Sequence, residues 1–218
     1  MNLPFPTTLP AFETYARDCL SGELPGQNAQ FQMAPLDRQV HEQASVRDKP
    51  CREAAVLALF YPGDDGHAHL LLTVRPSGMK QHAGQVALPG GRRENAETLE
   101  TTALRETHEE VGIAPDNIRM SGLLTPLYVI PSNFCVYPYV GVMDAPVDLT
   151  FRSDEVADMF GVPVSKLIAK DCRTSRVRNL AGRARDVPYF DFDGYVVWGA
   201  TAMMLAELAA VLHPELSQ

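Results

Sequence analysis

The spacing of apolar and polar positions changes several times along the chain, and each change marks an element. Over residues 10–20, Phe12, Tyr15, Ala16 and Cys19 recur at helical spacing, and Pro25-Gly26 ends the segment. Residues 27–50 read as a polar connection. From Ala54 the texture changes: 54–61 and 70–74 are continuous apolar runs of strand length, joined by the turn Pro62-Gly63-Asp64-Asp65-Gly66. A glycine-punctuated stretch ends at Leu88-Pro89-Gly90-Gly91, and an amphipathic helix follows, with Leu104 and Val111 opposite its glutamates. Strand-like runs cover 120–129 and 135–142. Ser153 is placed to cap a short helix over 154–160; 162–167 is apolar, 173–187 reads as basic and irregular, and 189–198 as strand. A helix over about 200–212 is apolar nearly all round and is expected to be buried. Strands interleaved with helices imply an α/β fold with helices packed on a mixed sheet. Residues 1–50 form an N-terminal extension, a short helix plus polar connection, and 51–218 the main domain. Whether the extension packs on that domain or on a second subunit stays open.

A chain of 218 residues can bury one good-sized core. Its 19 basic against 27 acidic residues give −8, which argues against an extended nucleic-acid or anionic-membrane surface. A phosphate-bearing ligand must then be held by a few local cations, backbone amides or bound metal. Cys19, Cys51, Cys135 and Cys172 are widely spaced with no Cys-x-x-Cys pair, unlike a zinc site or a dense disulfide framework. They are expected to be mostly buried small hydrophobes in a reducing, cytoplasmic setting. The opening MNLPFPTTLP lacks a basic start followed by an apolar stretch, and no apolar run has membrane-spanning length.

Chemistry concentrates on the amphipathic helix. Glu106, Glu109 and Glu110 fall within about one-third of a turn of each other. Carboxylates so placed repel unless something positive sits among them, which points to divalent cations and phosphate chemistry. The full spacing is Gly91, five residues, Glu97, seven residues, Arg105-Glu106, two residues, Glu109-Glu110, one residue, Gly112-Ile113. It resembles the Nudix box at every charged and glycine position. The departure is Thr107 in place of an aliphatic residue; its hydroxyl needs a partner if buried. The preceding stretch, Leu71-Leu72-Thr73-Val74-Arg75 through His82, Gly84-Gln85-Val86 to Leu88-Pro89-Gly90-Gly91, is similar to the additional signature of the Nudix coenzyme A diphosphatases. Pro76, Lys80 and Leu88 depart from that signature. With Glu155-Val156, Pro163, Trp198-Gly199 and Thr201 the likeness covers about 54–212.

The resemblance implies a Nudix-type α/β/α sandwich with a mixed central sheet and a loop-helix-loop catalytic motif. It implies metal-dependent cleavage of the diphosphate of coenzyme A or its derivatives to 3′,5′-ADP and 4′-phosphopantetheine. The alternatives are another nucleoside diphosphate derivative (NADH, a nucleotide sugar) or a non-catalytic nucleotide-sensing module. Mg2+ or Mn2+ would sit on Glu106, Glu109, Glu110 and the Gly91 carbonyl. Glu106 and Glu155 are alternative general bases, and Arg105 orients Glu97. Arg75 and Lys80 supply positive charge for the substrate, His82 and Gln85 polar contacts, and Gly84 and Gly90 close backbone approach. The cluster Arg173, Arg176, Arg178, Arg183 and Arg185 is a candidate for a 3′-phosphate, while Trp198 is expected in the core. The partners expected are a small-molecule substrate, with no nucleic acid and no membrane; a homodimer is compatible with the family.

Overall fold

The computed structural model describes residues 5–35, 46–78, 84–150, 153–180 and 182–217. Its centre is β1 (Arg52–Pro62), a strand buried on both faces. Ala54, Ala58 and Phe60 point into one apolar cluster, and Ala55, Leu57, Leu59 and Tyr61 into a second. Burial on both sides is what a continuous apolar run of strand length encodes. β1 pairs antiparallel with β2 (Ala68–Val74) and, through residues 54–56, with β4 (Gly90–Arg92). It pairs parallel with β7 (Phe134–Val142), so the sheet is mixed. On the edge of β2 away from β1 lies β8 (Asp158–Pro163), while β3 (Val86–Ala87) pairs with residues 73–74 on the opposite edge; β7 also carries β5 (Arg119–Leu123) and β6 (Leu127–Val129).

Helices close both faces. α1 (Leu9–Leu20) and the C-terminal helix, numbered α5 below (Gly199–Leu212), cover the first cluster; α3 (Leu99–Val111) covers the second. The Phe12 ring of α1 lies 4.5 Å from that of Phe60 on β1. The N-terminal segment therefore packs on the main domain. Part of the expected polar connection is structured too, since α2 (Gln27–Gln30) docks on α5. There Glu207, fully buried, accepts a 2.8 Å hydrogen bond from Gln30 Nε2 and a 3.1 Å bond from the Thr125 amide. A carboxylate taken out of water is tolerable only with such donors. Burial still pushes the Glu207 carboxyl above its ordinary range.

Several expectations are corrected. Residues 154–160 do not form a helix: Asp154 and Glu155 lie in a turn, and β8 starts at Asp158. The open edge of β2 offers unpaired backbone groups, and β8 satisfies them in register from Val74↔Asp158 to His69↔Pro163. Residues 162–167 divide between β8 and the short α4 (Val164–Leu167). The irregular stretch at 173–187 is instead a hairpin of β9 (Arg173–Leu180) and β10 (Arg183–Phe192), which β11 (Tyr195–Trp198) extends to a three-stranded sheet. Cross-strand hydrogen bonding outweighs the mutual repulsion of its arginines. The run at 120–129 breaks into β5 and β6, both antiparallel to β7. Cys51 and Cys135 are joined in a disulfide with Cα atoms 5.7 Å apart, which corrects the expectation that these two act only as buried small hydrophobes. Cys172 is buried as expected and Cys19 partly so. Among the described residues no helix is long and apolar enough to cross a membrane.

Replacing Glu207 by Ala strands the Gln30 and Thr125 donors in the core and is expected to cost about 2–4 kcal/mol. Urea unfolding measures it; an unchanged midpoint would show that the extension is not anchored here.

Candidate functional site

The local chemistry of α3 fixes where its glutamates point. Thr98 caps the helix by accepting from the Thr101 amide at 3.1 Å, and Gly112, left-handed at φ 74°, ends it. Ala103 and Val111 bury one face against the β1 side chains. Thr107 is buried as well, and its Oγ1 donates to the Ala103 carbonyl at 2.7 Å. The departure from the box pattern therefore leaves no orphaned hydroxyl.

Across the helix runs the Gly90-Gly91 backbone. A Cβ at 90, where φ is 148°, would collide with the backbone of Ala55 and Val56 on β1. At position 91 it would fall on the Glu106 carboxylate. Glycine thus lets the strand approach both β1 and α3. The Gly90 amide donates to Glu110 Oε2 at 3.0 Å, and Arg75 Nη2 stands 3.9 Å from Glu110 Oε1. Glu110 is 3% exposed, and burial pushes its carboxyl up to about 7, against the pull of the Gly90 amide and Arg75. Burial also raises Glu106, with the Arg105 hydrogen bond opposing. Neither shift needs a bound ion. Both record chiefly the cost of holding a charged carboxylate away from water.

Arg105 ties the outer part of the site together. Its Nε and Nη2 reach Glu97 at 3.2 and 2.9 Å, its Nη1 reaches Glu106 at 2.9 Å and Glu109 at 3.0 Å, and Nη2 also donates to the Arg92 carbonyl at 3.1 Å. It orients Glu97, as the resemblance implied, and it also holds two glutamates of its own helix. The Arg105 hydrogen bond is the main reason Glu97 is held down to about 2. Glu109 turns outward to Arg105. Among the described residues no three His, Cys, Asp or Glu side chains converge, so the comb divides into a Glu106–Glu110 pair and an outlying Glu109. The pair and the Gly91 carbonyl offer the hard oxygen donors that suit a divalent cation.

Glu155 is exposed in the turn before β8, and its charge raises both Glu106 and Glu110. Ser153, expected to cap a helix, instead donates its hydroxyl to the Glu110 carbonyl at 3.0 Å and fastens that turn to α3. The Arg75 amide donates to the Gln85 carbonyl at 3.0 Å, and the Gly84 amide to the Arg75 carbonyl at 3.1 Å. Lys80 and His82 lie outside the described residues. Arg93 escaped the sequence reading: it pairs with Glu53 at 2.6 Å and donates to the Glu97 carbonyl at 2.7 Å. No spacing rule marks it, because Glu53 lies 40 positions away.

This geometry accompanies a match to the family model described as NUDIX domain over residues 52–179. The chain belongs to the Nudix family. Over 184 residues this Nudix chain is 36% identical to the Pectobacterium atrosepticum protein named Uncharacterized Nudix hydrolase NudL, covering 83% of this chain and 88% of that one. It is 32% identical over 177 residues to Nudix hydrolase 22, chloroplastic, of Arabidopsis thaliana, covering 78% of this chain but only 58% of the plant protein. Among solved structures, a MutT/nudix family protein from Enterococcus faecalis aligns over 84% of this chain and 71% of its own, with TM-score 0.51 and 15% identity, a likeness of fold alone. The Nudix chain is accordingly a hydrolase of acid anhydrides, acting on a small nucleoside diphosphate derivative. Its family generally works with divalent cations, typically Mg2+ or Mn2+.

The two glycines should respond differently to alanine. Gly91→Ala presses only on the flexible end of Glu106. It is expected to cost at most about 1 kcal/mol of stability while cutting kcat/KM about 100-fold through the displaced carboxylate. Gly90→Ala meets fixed backbone at positive φ and is expected to destabilise by about 3 kcal/mol or more. Thermal unfolding beside turnover separates the two; equal stability losses would contradict the assignment. Glu97 gives a pH signature. Because its folded carboxyl is depressed, its contribution is complete above the ordinary value of 4.5 and is lost as pH falls toward about 2. The stability gap between wild type and Glu97→Gln, expected at about 1–2 kcal/mol at neutral pH, should close over that acid window.

Proposed function

We propose that the substrate is coenzyme A or one of its derivatives, and that the diphosphate is cleaved with one water to 4′-phosphopantetheine and 3′,5′-ADP. One observation carries the reading. The segment that resembles the coenzyme A diphosphatase signature is built into the glutamate site, with Arg75 and Gly90 both meeting Glu110. The segment ahead of the box supplies the cation and the amide at the most buried carboxylate of the site.

In this reading Glu106 and Glu110, with the Gly91 carbonyl and Glu109 at the margin, hold Mg2+ or Mn2+, which when bound draws charge from the diphosphate and acidifies the attacking water. Arg75 faces the diphosphate oxygens, and Arg105 keeps Glu106 at its angle to Gly91. Glu106 and Glu155 are the groups able to take the proton from water. Glu106 is bonded to Arg105, whereas Glu155 stands exposed on its turn.

A panel of coenzyme A, acyl-coenzyme A, NADH and a nucleotide sugar, assayed with Mg2+ and Mn2+ for phosphopantetheine release, tests the substrate. Coenzyme A is expected to lead by at least about tenfold in kcat/KM; preference for NADH or the sugar would defeat the reading. Glu106→Gln is expected to remove turnover by a factor of about 1,000 or more with the fold retained, and Glu155→Gln to lower kcat by about 100-fold if it is the base. A Glu155→Gln enzyme at wild-type rate would assign the proton to Glu106.

A further inference from the structure

The register of the C-terminal sheet sorts its arginines. Arg178 stands opposite Arg185, Leu180 opposite Arg183, and Arg176 opposite Val187; Tyr189 lies opposite both Thr174 and Trp198. Since side chains alternate along a strand, Arg176, Arg178, Arg183 and Arg185 share one face with Tyr189 and Trp198. Arg173 pairs with Phe190 and belongs to the other face, its guanidinium 5.3 Å from that ring. Like charges set directly opposite destabilise a strand pair, and Arg178 stands opposite Arg185 across the hairpin.

Aromatic rings hold two of these cations in place. The Arg178 guanidinium lies 4.4 Å from the centre of the Trp198 ring, and that of Arg176 lies 5.1 Å from Tyr189. Trp198, expected in the core, is only half-buried, with Arg178 over its ring. The Nε of Arg178 is buried without a hydrogen-bond partner among the described residues. Arg176, Arg178 and Trp198 line a cavity of about 300 Å³ whose other wall includes Val74, Gly84 and Gln85. Those residues flank or bond the Arg75 backbone, and the Arg75 side chain faces Glu110. One residue thus joins the cavity wall to the glutamate site.

We propose that this cavity is a second anion subsite, one that receives a phosphomonoester carried by the substrate apart from the diphosphate at the glutamates. A guanidinium presents a planar fork that matches a terminal phosphate, and stacking on a ring reduces the freedom lost on binding. In a chain of net charge −8 the arginine face is a local concentration of positive charge, suited to one small anion. The place of the subsite in catalysis rests on the coenzyme A reading, whose 3′-phosphate is such a group.

Calorimetric titration of the full chain without added divalent metal, using adenosine 3′,5′-bisphosphate and adenosine 5′-monophosphate as probes, tests the proposal. Wild type is expected to bind the bisphosphate at least about tenfold more tightly. Arg178→Ala should bring the two probes within about twofold, and Arg178→Lys should keep part of the difference. Circular dichroism checks the fold, and Arg176→Gln, at an exposed position, gives a parallel loss should Arg178→Ala fail to fold. In turnover, the kcat/KM ratio of coenzyme A to its 3′-dephospho form should fall about tenfold in Arg178→Ala, mainly through KM. Equal wild-type affinity for the two probes would overturn the subsite, as would an equal loss for both in the variants. Coenzyme A left intact by an enzyme that still prefers the bisphosphate would sink the coenzyme A reading and leave the subsite standing.

Discussion

Two carboxylates side by side in a half-dry cleft repel each other, and the cleft persists only if backbone comes closer to them than water does. Here that backbone is Gly90-Gly91. It bonds Glu110 through the Gly90 amide and lies against Glu106 where position 91 has no side chain. The same residues belong to β4, which pairs with β1, the strand buried between the two apolar clusters. Reading outward, β1 needs both helix layers, β4 needs β1, and the glutamates need β4. The site therefore inherits the rigidity of the whole sandwich.

Charge is handled differently at the two depths of the cleft. Toward solvent, Arg105 serves Glu97, Glu106 and Glu109 at once, an arrangement open to a five-donor guanidinium and closed to a lysine. Toward the interior, Glu110 has an amide and a more distant Arg75. The outer carboxylates have a cation in hydrogen-bond contact, and Glu110 does not. The carboxylate oxygens least satisfied by the protein thus lie where a hard cation would sit.

The sequence was most informative where one segment makes its own contacts. The box helix follows from spacing within about twenty residues, the Arg105–Glu97 pairing was implied by the family resemblance, and the two-sided burial of β1 follows from its unbroken apolar run. What escaped depends on partners far along the chain. Residues 158–163 become a strand because β2 has an edge to fill, and Arg173 and Arg176 part to opposite faces only once β10 sets the register. The 106–109–110 comb looked like one ligand set because helical angles ignore Arg105, which draws Glu109 aside. Cys51 and Cys135 lie 84 positions apart, and nothing local joins them before β1 and β7 run parallel.

That disulfide has a topological consequence. It closes residues 51–135 into a covalent ring containing Arg75, Gly90, Gly91, Glu97 and all of α3. Outside the ring lie Glu155, the arginine hairpin and α5. The chain is divided into a closed circuit that carries Glu106, Glu110 and the glycines against them, and an open tail that carries Glu155 and the arginine face. Fraying of the tail leaves the circuit linked, so the two halves of the site can differ in how readily they come apart.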